Sequence, residues 1–546
     1  MSTNRKHPKA LPFLFFSEMW ERFGYYLMIG IFLLYLKNVE HGFAMTNTEA
    51  SDLYGTFIAL VFLTPFLGGL LADRYLGYRK SIIIGGLMMG IGYCLMAVHS
   101  LPMLYLSMTL VILGNGFFKP NISTLLGNVY STPEYIDRKD EGYNIFYMGI
   151  NIGAFICNFF SAAIIILWGW KYAFVAAGIG MFLGVIIFIS GTKHYKAADV
   201  KKPMSKADMP FSKILLTILV PSVVAGVLGW LIPGNIFQSD SNDAFIFACI
   251  PVIYFFASLY FRAEASEKRP IAALLAIFAA TIMFWAVFKQ NGTALTIWAD
   301  NYTNRHVEGA AGNVFRTVKL ATEVEYKKDS VDKYDNLFRI QKDANGKVIK
   351  EYNYPNYFKN VQPANLPADG EKATLWSTPL TQSINPGWVI LLTPLVVAFF
   401  AFLRRKNAEP STATKIAFGL LITSLSVFVM IGAAYVSNSG AEKASVWWLI
   451  MSYGVITIGE LLLSPMGLSL VSKLSPVRIT SLMMGGWFLS TSIGNKLSGV
   501  LATMWDGYEH KANFFWVNFI LLLIATLIIF GMLRWLNRIM KEKGVK

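Results

Sequence analysis

Apolar stretches long enough to cross a lipid bilayer recur along almost the whole chain, and no other feature of the sequence limits its fold as much. A helix needs about 20 mostly apolar residues to span the hydrocarbon core of a membrane. Fourteen candidate stretches lie at 13–36, 51–72, 80–99, 103–125, 144–167, 172–191, 211–232, 244–261, 271–294, 385–403, 416–436, 445–470, 479–503 and 513–535. The sequence therefore predicts an all-α polytopic membrane protein.

Composition excludes a set of soluble domains, although 546 residues would be enough for several. Only 15% of the residues are charged, whereas a soluble chain averages roughly 25%. The three cysteines all lie in apolar stretches, and the six histidines fall in loops or at the ends of spans. We therefore expect no disulfide framework, no metal site, no cofactor and no histidine relay at membrane depth.

The excess of basic residues follows a topology and does not indicate a nucleic-acid partner. The net charge is +15, yet the segments assigned to the cytoplasm hold 28 Lys and Arg residues and the short outer loops hold four. Cytoplasmic loops of membrane proteins carry such an excess. With an even number of spans, this asymmetry predicts that both termini are cytoplasmic. We expect the protein to lie in the inner cell membrane.

The longest polar segment, 300–384, carries 12 basic and 11 acidic residues and is expected to lie outside the cell. Asn345-Gly346 stands between two alternating stretches, which is a strong hairpin signal. We expect a small β-rich insertion there, with a partly ordered loop as the alternative.

Glu18, Glu21 and Arg22 are charged residues inside the first stretch, at positions i, i+3 and i+4 of a helix. This spacing brings both acids near one helix face with the arginine. Charges inside a membrane are costly and usually face a cavity or a partner. A proton-coupling site is the functional interpretation, and a static ion cluster is the alternative.

Two further charged residues lie deep in other stretches. Lys119 stands just before Pro120, where it could bind a substrate carboxylate or pair with Glu18 or Glu21; snorkelling to the membrane surface is the alternative. Glu460 lies in the other half of the chain and could receive a substrate ammonium, or form an ion pair that only packs helices.

The segment GGLLADRYLGYRK places Asp73 and Arg74 in the first cytoplasmic turn, and its pattern resembles the signature loop of the major facilitator superfamily. Further blocks resemble the proton-dependent oligopeptide transporter family of that superfamily, in the family's order. They are EMWERFGYY (18–26), KPNIS (119–123), FYMGINIGAF (146–155), FW-x5-G (284–292), INP (384–386), GELLLSPMGLS (459–469) and WFLSTSIGNKLSG (487–499).

The resemblance implies the major facilitator fold, with two six-helix bundles and, as in bacterial members, two inserted helices. It further implies import of di- and tripeptides with protons by alternating access, driven by the proton gradient, by a protein functional as a monomer. The domains expected from it are an N-terminal bundle at 1–191, a linker with the inserted helices at 192–270, a C-terminal bundle at 271–540 and the extracellular insertion at 300–384.

The resemblance also assigns roles to individual positions. Glu18 and Glu21, with Arg22 and Lys119, are expected to couple transport to protons, and Asp73, Arg74 and Lys289 to act in gating. The residues expected to surround the peptide are Arg22 and Lys119 at its carboxylate, Asn151, Asn385 and Glu460 at its amino group, and Tyr26, Trp285 and Trp487 as pocket walls.

Three positions depart from the family pattern. Ile29 and Lys289 replace the arginine and glutamate that close the outer gate, and Phe62 replaces a tyrosine. We expect Lys289 to take over part of the lost arginine's role in binding a carboxylate; the alternative is that it points away from the cavity. Two lysines in one cavity would also suit a small anion such as nitrate, which is the nearest rival function. A membrane enzyme or receptor is the rival from another class, but no catalytic motif supports it.

Overall fold

The computed structural model describes residues 6–135, 138–200, 213, 215–237, 239–476 and 479–543. Within these ranges the chain forms sixteen α-helices. In chain order they are α1 (Leu11–Lys37), α2 (Asn47–Leu71), α3 (Tyr78–Leu95), α4 (Leu101–Val129), α5 (Lys139–Trp168), α6 (Trp170–Ser190), α7 (Val220–Trp230), α8 (Asp240–Arg262), α9 (Ala265–Phe288), α10 (Ala294–Asn301), α11 (Gly309–Thr317), α12 (Ile384–Arg405), α13 (Thr412–Val436), α14 (Val446–Leu474), α15 (Thr480–Thr503) and α16 (Lys511–Glu542).

Each of the fourteen predicted stretches contains a helix, and α10 and α11 are additional short helices. Ten of the fourteen are long and apolar enough, by length and composition, to cross a membrane. The remaining four are α1, which carries three charged residues in mid-helix, α3, α15 and the short α7, which a π-helical turn at Leu215–Leu219 precedes. The predicted all-α polytopic fold is confirmed.

The long helices form two packed groups. Helices α1 to α6 contact one another, and so do α9 and α12 to α16. The α7–α8 pair forms a hairpin between these groups in the chain, and α8 packs against α9, α15 and α2. This arrangement matches two bundles with an inserted hairpin, while the predicted residue limits of the domains stay a prediction.

Contacts between the two groups are concentrated at the end of the molecule that carries the 300–384 insertion. Along one line, α2 and α15 touch so closely that a methyl group added at Gly55 would lie 2.7 Å from the Cα atom of Gly499. Along another, the Ser383 hydroxyl donates a hydrogen bond of 2.7 Å to the carbonyl of Phe155 on α5. The bundles are therefore closed against each other at this end.

A buried ion pair joins the bundles at the same end. The Lys496 ammonium on α15 lies 2.6 Å from a carboxylate oxygen of Asp52 on α2. It also donates hydrogen bonds to the hydroxyls of Thr56 (2.7 Å) and Ser241 (2.8 Å). Because Ser241 belongs to α8, one lysine connects both bundles and the inserted hairpin.

The insertion is β-rich, as predicted. Its strands are β1 (Ala321–Glu325), β2 (Asp329–Asp332), β3 (Lys350–Asn353) and β4 (Lys372–Trp376). Strands β1 and β4 pair antiparallel, as do β2 and β3. The predicted Asn345-Gly346 turn is present, with Gly346 at a φ of 78° and a bridge between Lys342 and Val348. A positive φ favours glycine, which explains why the sequence signal was strong here.

The turn after α2 contains Asp73 and Arg74. Its backbone forms a π-helical turn at Ala72–Leu76 and ends at Gly77. The preceding glycines allow close helix packing, since a methyl group at Gly68 would lie 2.0 Å from the Gly116 carbonyl oxygen of α4. The side chains of Asp73 and Arg74 lie outside the described part of the structure, so their gating role stays a prediction.

Candidate functional site

The charged residues of α1 form one buried cluster. The Arg22 Nε atom lies 3.1 Å from a carboxylate oxygen of Glu18 and also contacts a carboxylate oxygen of Glu21. Glu18, Glu21 and Arg22 are 2%, 0% and 3% exposed. The spacing thus brings both acids to the arginine, as predicted. Arg22 is the cation within ion-pair distance of both carboxylates, and Lys119 acts on both of them from farther away.

Lys119 and Lys289 approach each other from opposite bundles. The Lys119 ammonium on α4 lies 4.2 Å from the centroid of the Phe62 ring. The Lys289 ammonium, in the turn after α9, lies 5.2 Å from the centroid of the same ring. Both distances are within the range of a cation–π contact. The position of Lys289 against an α2 side chain favours the interpretation in which it faces the space between the bundles.

The acidic end of the site lies in the C-terminal bundle. The Asn385 amide at the start of α12 donates hydrogen bonds to a Glu460 carboxylate oxygen (3.1 Å) and to the Thr457 hydroxyl (2.8 Å). Both acceptors belong to α14. Asn385 therefore holds one oxygen of Glu460 in place, and no hydrogen bond to the other oxygen is formed by the residues that the structure describes.

Three other predicted site residues, Tyr26, Trp285 and Asn151, differ from one another in what they contact. Tyr26 lies within electrostatic range of both Arg22 and Glu460, hence between the charged groups of the two bundles. Trp285 packs beside Lys289, with the ammonium 5.8 Å from its ring. The Asn151 amide donates a hydrogen bond of 2.9 Å to the Tyr147 carbonyl of its own helix.

Trp487 lies within the C-terminal bundle, and its ring contacts are with residues outside this charged group. Its ring packs inside the C-terminal bundle against Gly467 of α14 and lies 6.3 Å from the ring of Phe278 on α9. The side chain is 3% exposed. Its predicted role as a pocket wall stays a prediction, and helix packing explains its present position.

Sequence reasoning missed two features of this region. The sequence shows Phe62 only as a departure from the family pattern. Its position along α2 does not indicate that two lysines lie at its ring. Lys496 lies inside a predicted span, and the sequence indicates no partner for it. Its partner Asp52 lies at the start of a predicted stretch, where an acidic residue is too common to be a signal.

Comparison with known proteins decides the family. The PTR2 family model, described as POT family, matches residues 79–315 and 377–517. This chain belongs to the POT family. An uncharacterised transporter of Bacillus subtilis (strain 168) is 28% identical over 551 residues, covering 99% of this chain and 96% of the relative. A di-/tripeptide transporter of Lactococcus lactis subsp. lactis (strain IL1403) is 27% identical, covering 96% of this chain and 94% of the relative.

Solved structures agree with this assignment. A crystal structure of the peptide transporter POT in complex with sulfate superposes with a TM-score of 0.74 at 28% identity. It covers 98% of this chain and 96% of the other. The POT fold of the major facilitator type and the family resemblance are therefore confirmed. Members of this family are peptide transporters, not enzymes, and proton coupling is typical of them; the chain is a multi-pass membrane protein.

Proposed function

We propose that this protein is a secondary active transporter that imports di- and tripeptides together with protons by alternating access. The observation that carries the proposal is the pair of charged groups on facing bundles. Cations at Lys119 and Lys289 lie around Phe62, and the Asn385-bound carboxylate of Glu460 lies in the C-terminal bundle. A zwitterionic peptide needs a positive and a negative group held apart in a space of low dielectric constant.

The peptide carboxylate is received by Lys119 and Lys289. Arg22 supports this end but contributes less free charge, since its guanidinium already contacts Glu18 and Glu21. The peptide amino group is received by Glu460, with Asn385 and Asn151 as hydrogen-bonding neighbours. The aromatic residues assigned to the pocket are Tyr26, Trp285 and Trp487.

Protons are exchanged on the cluster of Glu18, Glu21 and Arg22. Arginine stays charged in proteins, so protons are taken up and released by the two acids. A proton on one of them leaves the other paired one to one with Arg22. Lys119 lies within electrostatic range of both acids, so a peptide carboxylate bound at Lys119 changes the charge that they experience.

Alternating access requires that the closed end open in turn. The contacts between α2 and α15 and between α5 and Ser383 close the end beside the insertion, which we assign to the cell exterior. Asp73, Arg74 and Lys289 are the proposed gating residues. We further propose that the protein works as a monomer in the inner cell membrane with both termini in the cytoplasm.

The test uses the purified protein in liposomes loaded with a pH-sensitive dye, under an inside-negative potential. Addition of dialanine or trialanine is expected to acidify the lumen, and protein-free liposomes serve as the control. Peptide exchange without acidification would contradict proton coupling. Absence of any response to peptides, in protein shown to be folded, would contradict the proposed function.

A small anion such as nitrate is a second candidate substrate, and the two lysines at Phe62 favour it. The hydrogen bond that holds Glu460 to Asn385 argues against it, because a small anion needs no acceptor for an ammonium. Nitrate added to the same liposomes separates the two: nitrate-dependent proton movement with no peptide response would establish the rival function.

A further inference from the structure

The ammonium groups of Lys119 and Lys289 have no carboxylate at ion-pair distance in the described part of the chain. Neither donates a hydrogen bond nor lies within 4.0 Å of a carboxylate among the residues that the structure describes, and both rest on the ring of Phe62. They come from α4 of one bundle and from the turn after α9 of the other. Each is only half-buried, so both are open to the space between the bundles.

The other charges of this region are already engaged. Arg22 contacts Glu18 and Glu21, and Glu460 accepts a hydrogen bond from Asn385. Lys119 and Lys289 thus lie within electrostatic range of each other, while the carboxylates that act on them, Glu18 and Glu21 on Lys119 and Glu460 on Lys289, stay beyond ion-pair distance. Such charges repel each other, and a ligand that supplies two negative charges relieves the repulsion and pairs with both.

We infer that this transporter selects peptides whose carboxyl-terminal residue is aspartate or glutamate, with the two carboxylates of that residue received by Lys119 and Lys289. The inference rests on the proposed function and adds to it a class of substrate. In such a residue the α-carboxylate and the side-chain carboxylate are separated by only a few bonds. Two ammonium groups 4.2 Å and 5.2 Å from the centroid of one aromatic ring can then each meet one of these carboxylates.

Phe62 is the positioning residue of this arrangement. Its ring attracts both ammonium groups through its π face, so it holds them at one place while offering neither of them a counter-charge. An aliphatic side chain at this position would not attract either ammonium. A tyrosine would keep the ring and therefore the attraction.

The inference also predicts where in the peptide the acidic residue must stand. An acidic residue at the amino end brings its carboxylate toward Glu460, where two negative charges oppose each other. Glu-Ala should therefore bind no more tightly than a neutral peptide, whereas Ala-Glu should bind more tightly. A general preference for negative charge would not distinguish these two peptides, which have the same composition.

The test measures how well Ala-Glu, Ala-Gln and Glu-Ala compete with labelled Ala-Ala for uptake into liposomes. Glutamate and glutamine have nearly the same shape, and a glutamate side chain with a pKa of about 4.3 is ionised at neutral pH. We expect Ala-Glu to compete at least about tenfold better than Ala-Gln, a difference of about 1.4 kcal/mol. We expect Glu-Ala to compete no better than Ala-Gln.

Variants show whether the lysines and the ring carry the preference. In Lys289→Met, the ratio of the competition by Ala-Glu to the competition by Ala-Gln should fall toward one. This ratio can be measured even when total uptake is reduced. The matched control is Lys171→Met, which removes an exposed lysine 4.9 Å from the ring of Tyr172, outside the site. Phe62→Leu should lower the ratio and Phe62→Tyr should retain it, a contrast that a merely structural role would not produce.

Each outcome has one meaning. Uptake of Ala-Ala with equal competition by Ala-Glu and Ala-Gln would overturn the inference and leave the proposed function standing. A preference that survives in Lys289→Met would overturn it as well. Uptake of no peptide by folded protein would overturn the proposed function, and the inference with it.

Discussion

Lys496 and the pair formed by Lys119 and Lys289 place the same chemical group between the same two bundles, in very different surroundings. Lys496 is 2% exposed, and its ammonium contacts one carboxylate and two hydroxyls. The ammonium groups of Lys119 and Lys289 lie over aromatic rings and form no hydrogen bond or ion pair among the described residues. Lys496 is therefore paired within the protein, whereas Lys119 and Lys289 are free to pair with a bound ligand.

The contrast shows how a buried charge that stabilises the fold differs from one that binds a ligand. A charge that is removed from water is tolerated when its partners are complete, and it then fixes the elements that supply them. A charge without partners destabilises the protein that contains it, so its presence needs another reason. In a transporter that reason is a ligand, which completes the site only while it is bound.

The largest expected effect comes from breaking the complete site. Lys496→Met leaves Asp52 without its counter-charge at the contact between α2 and α15. Removing one partner of a buried ion pair costs about 3–5 kcal/mol, and the partial exposure of Asp52 places the expected loss near the lower value, about 3 kcal/mol. Thermal unfolding of the purified protein in detergent measures it.

The double variant Asp52→Asn, Lys496→Met serves as the control for this prediction. It removes the stranded carboxylate as well and should be more stable than Lys496→Met alone. If both variants unfold like the native protein, the pair does not hold the closed end together.

Glu21 is intermediate between the two cases, because it shares the single guanidinium of Arg22 with Glu18 and receives only longer-range attraction from Lys119. Glu21→Gln keeps the hydrogen-bonding shape and removes the ability to exchange a proton. We expect proton-driven accumulation of dialanine to fall by about a hundredfold, the lower end of the range for loss of a positioned acid–base group, while exchange of labelled for unlabelled peptide continues. Proton movement and counterflow in the same liposomes measure both.

The matched control for Glu21 is Glu141→Gln. Glu141 is also paired with an arginine, at 2.7 Å from Arg138, but its side chain is exposed at the start of α5. Coupling should be unaffected in this variant. Equal losses in both variants would show that the effect is not specific to the α1 cluster.

Removal of an unpartnered lysine should change binding and leave stability intact. Lys119→Met replaces a charge that has no carboxylate within ion-pair distance by an apolar side chain of similar length, so the unfolding temperature should be equal or higher. Peptide affinity should fall at least about tenfold, because the carboxylate loses a charged partner. A clear loss of stability would show that Lys119 has a partner within the protein after all.

The smallest effect is expected from shortening the insertion. Residues 328–369 lie between β1 and β4, and a short Gly-Ser linker in their place leaves that strand pair intact. Dipeptide uptake should change by no more than about twofold, as expected for a surface segment away from the site. Loss of all uptake would assign the insertion a direct role in substrate capture.

Much of this molecule could be predicted from its sequence because the relevant patterns are local. The fourteen apolar stretches, the i, i+3, i+4 spacing of the α1 cluster and the Asn345-Gly346 turn each depend on neighbouring residues. The predicted roles of the site residues, including those of Asn151 and Trp487, remain predictions.

The features that could not be predicted depend on the packing of distant segments. Phe62 and Lys289 are 227 residues apart in the chain, and their contact depends on how the two bundles pack against each other. Asp52, Ser241 and Lys496 meet from three helices in the same way. No periodicity or spacing within one helix indicates such a meeting.

One experiment compares the three lysines directly. Thermal unfolding of Lys119→Met, Lys289→Met and Lys496→Met is measured with and without saturating Ala-Glu, since a ligand that binds the folded state raises its stability. Without peptide, only Lys496→Met should unfold at a lower temperature than the native protein. With peptide, the stabilisation should persist in Lys496→Met and be lost in the other two variants. Loss of stability in Lys119→Met and Lys289→Met, with peptide stabilisation retained, would contradict the account.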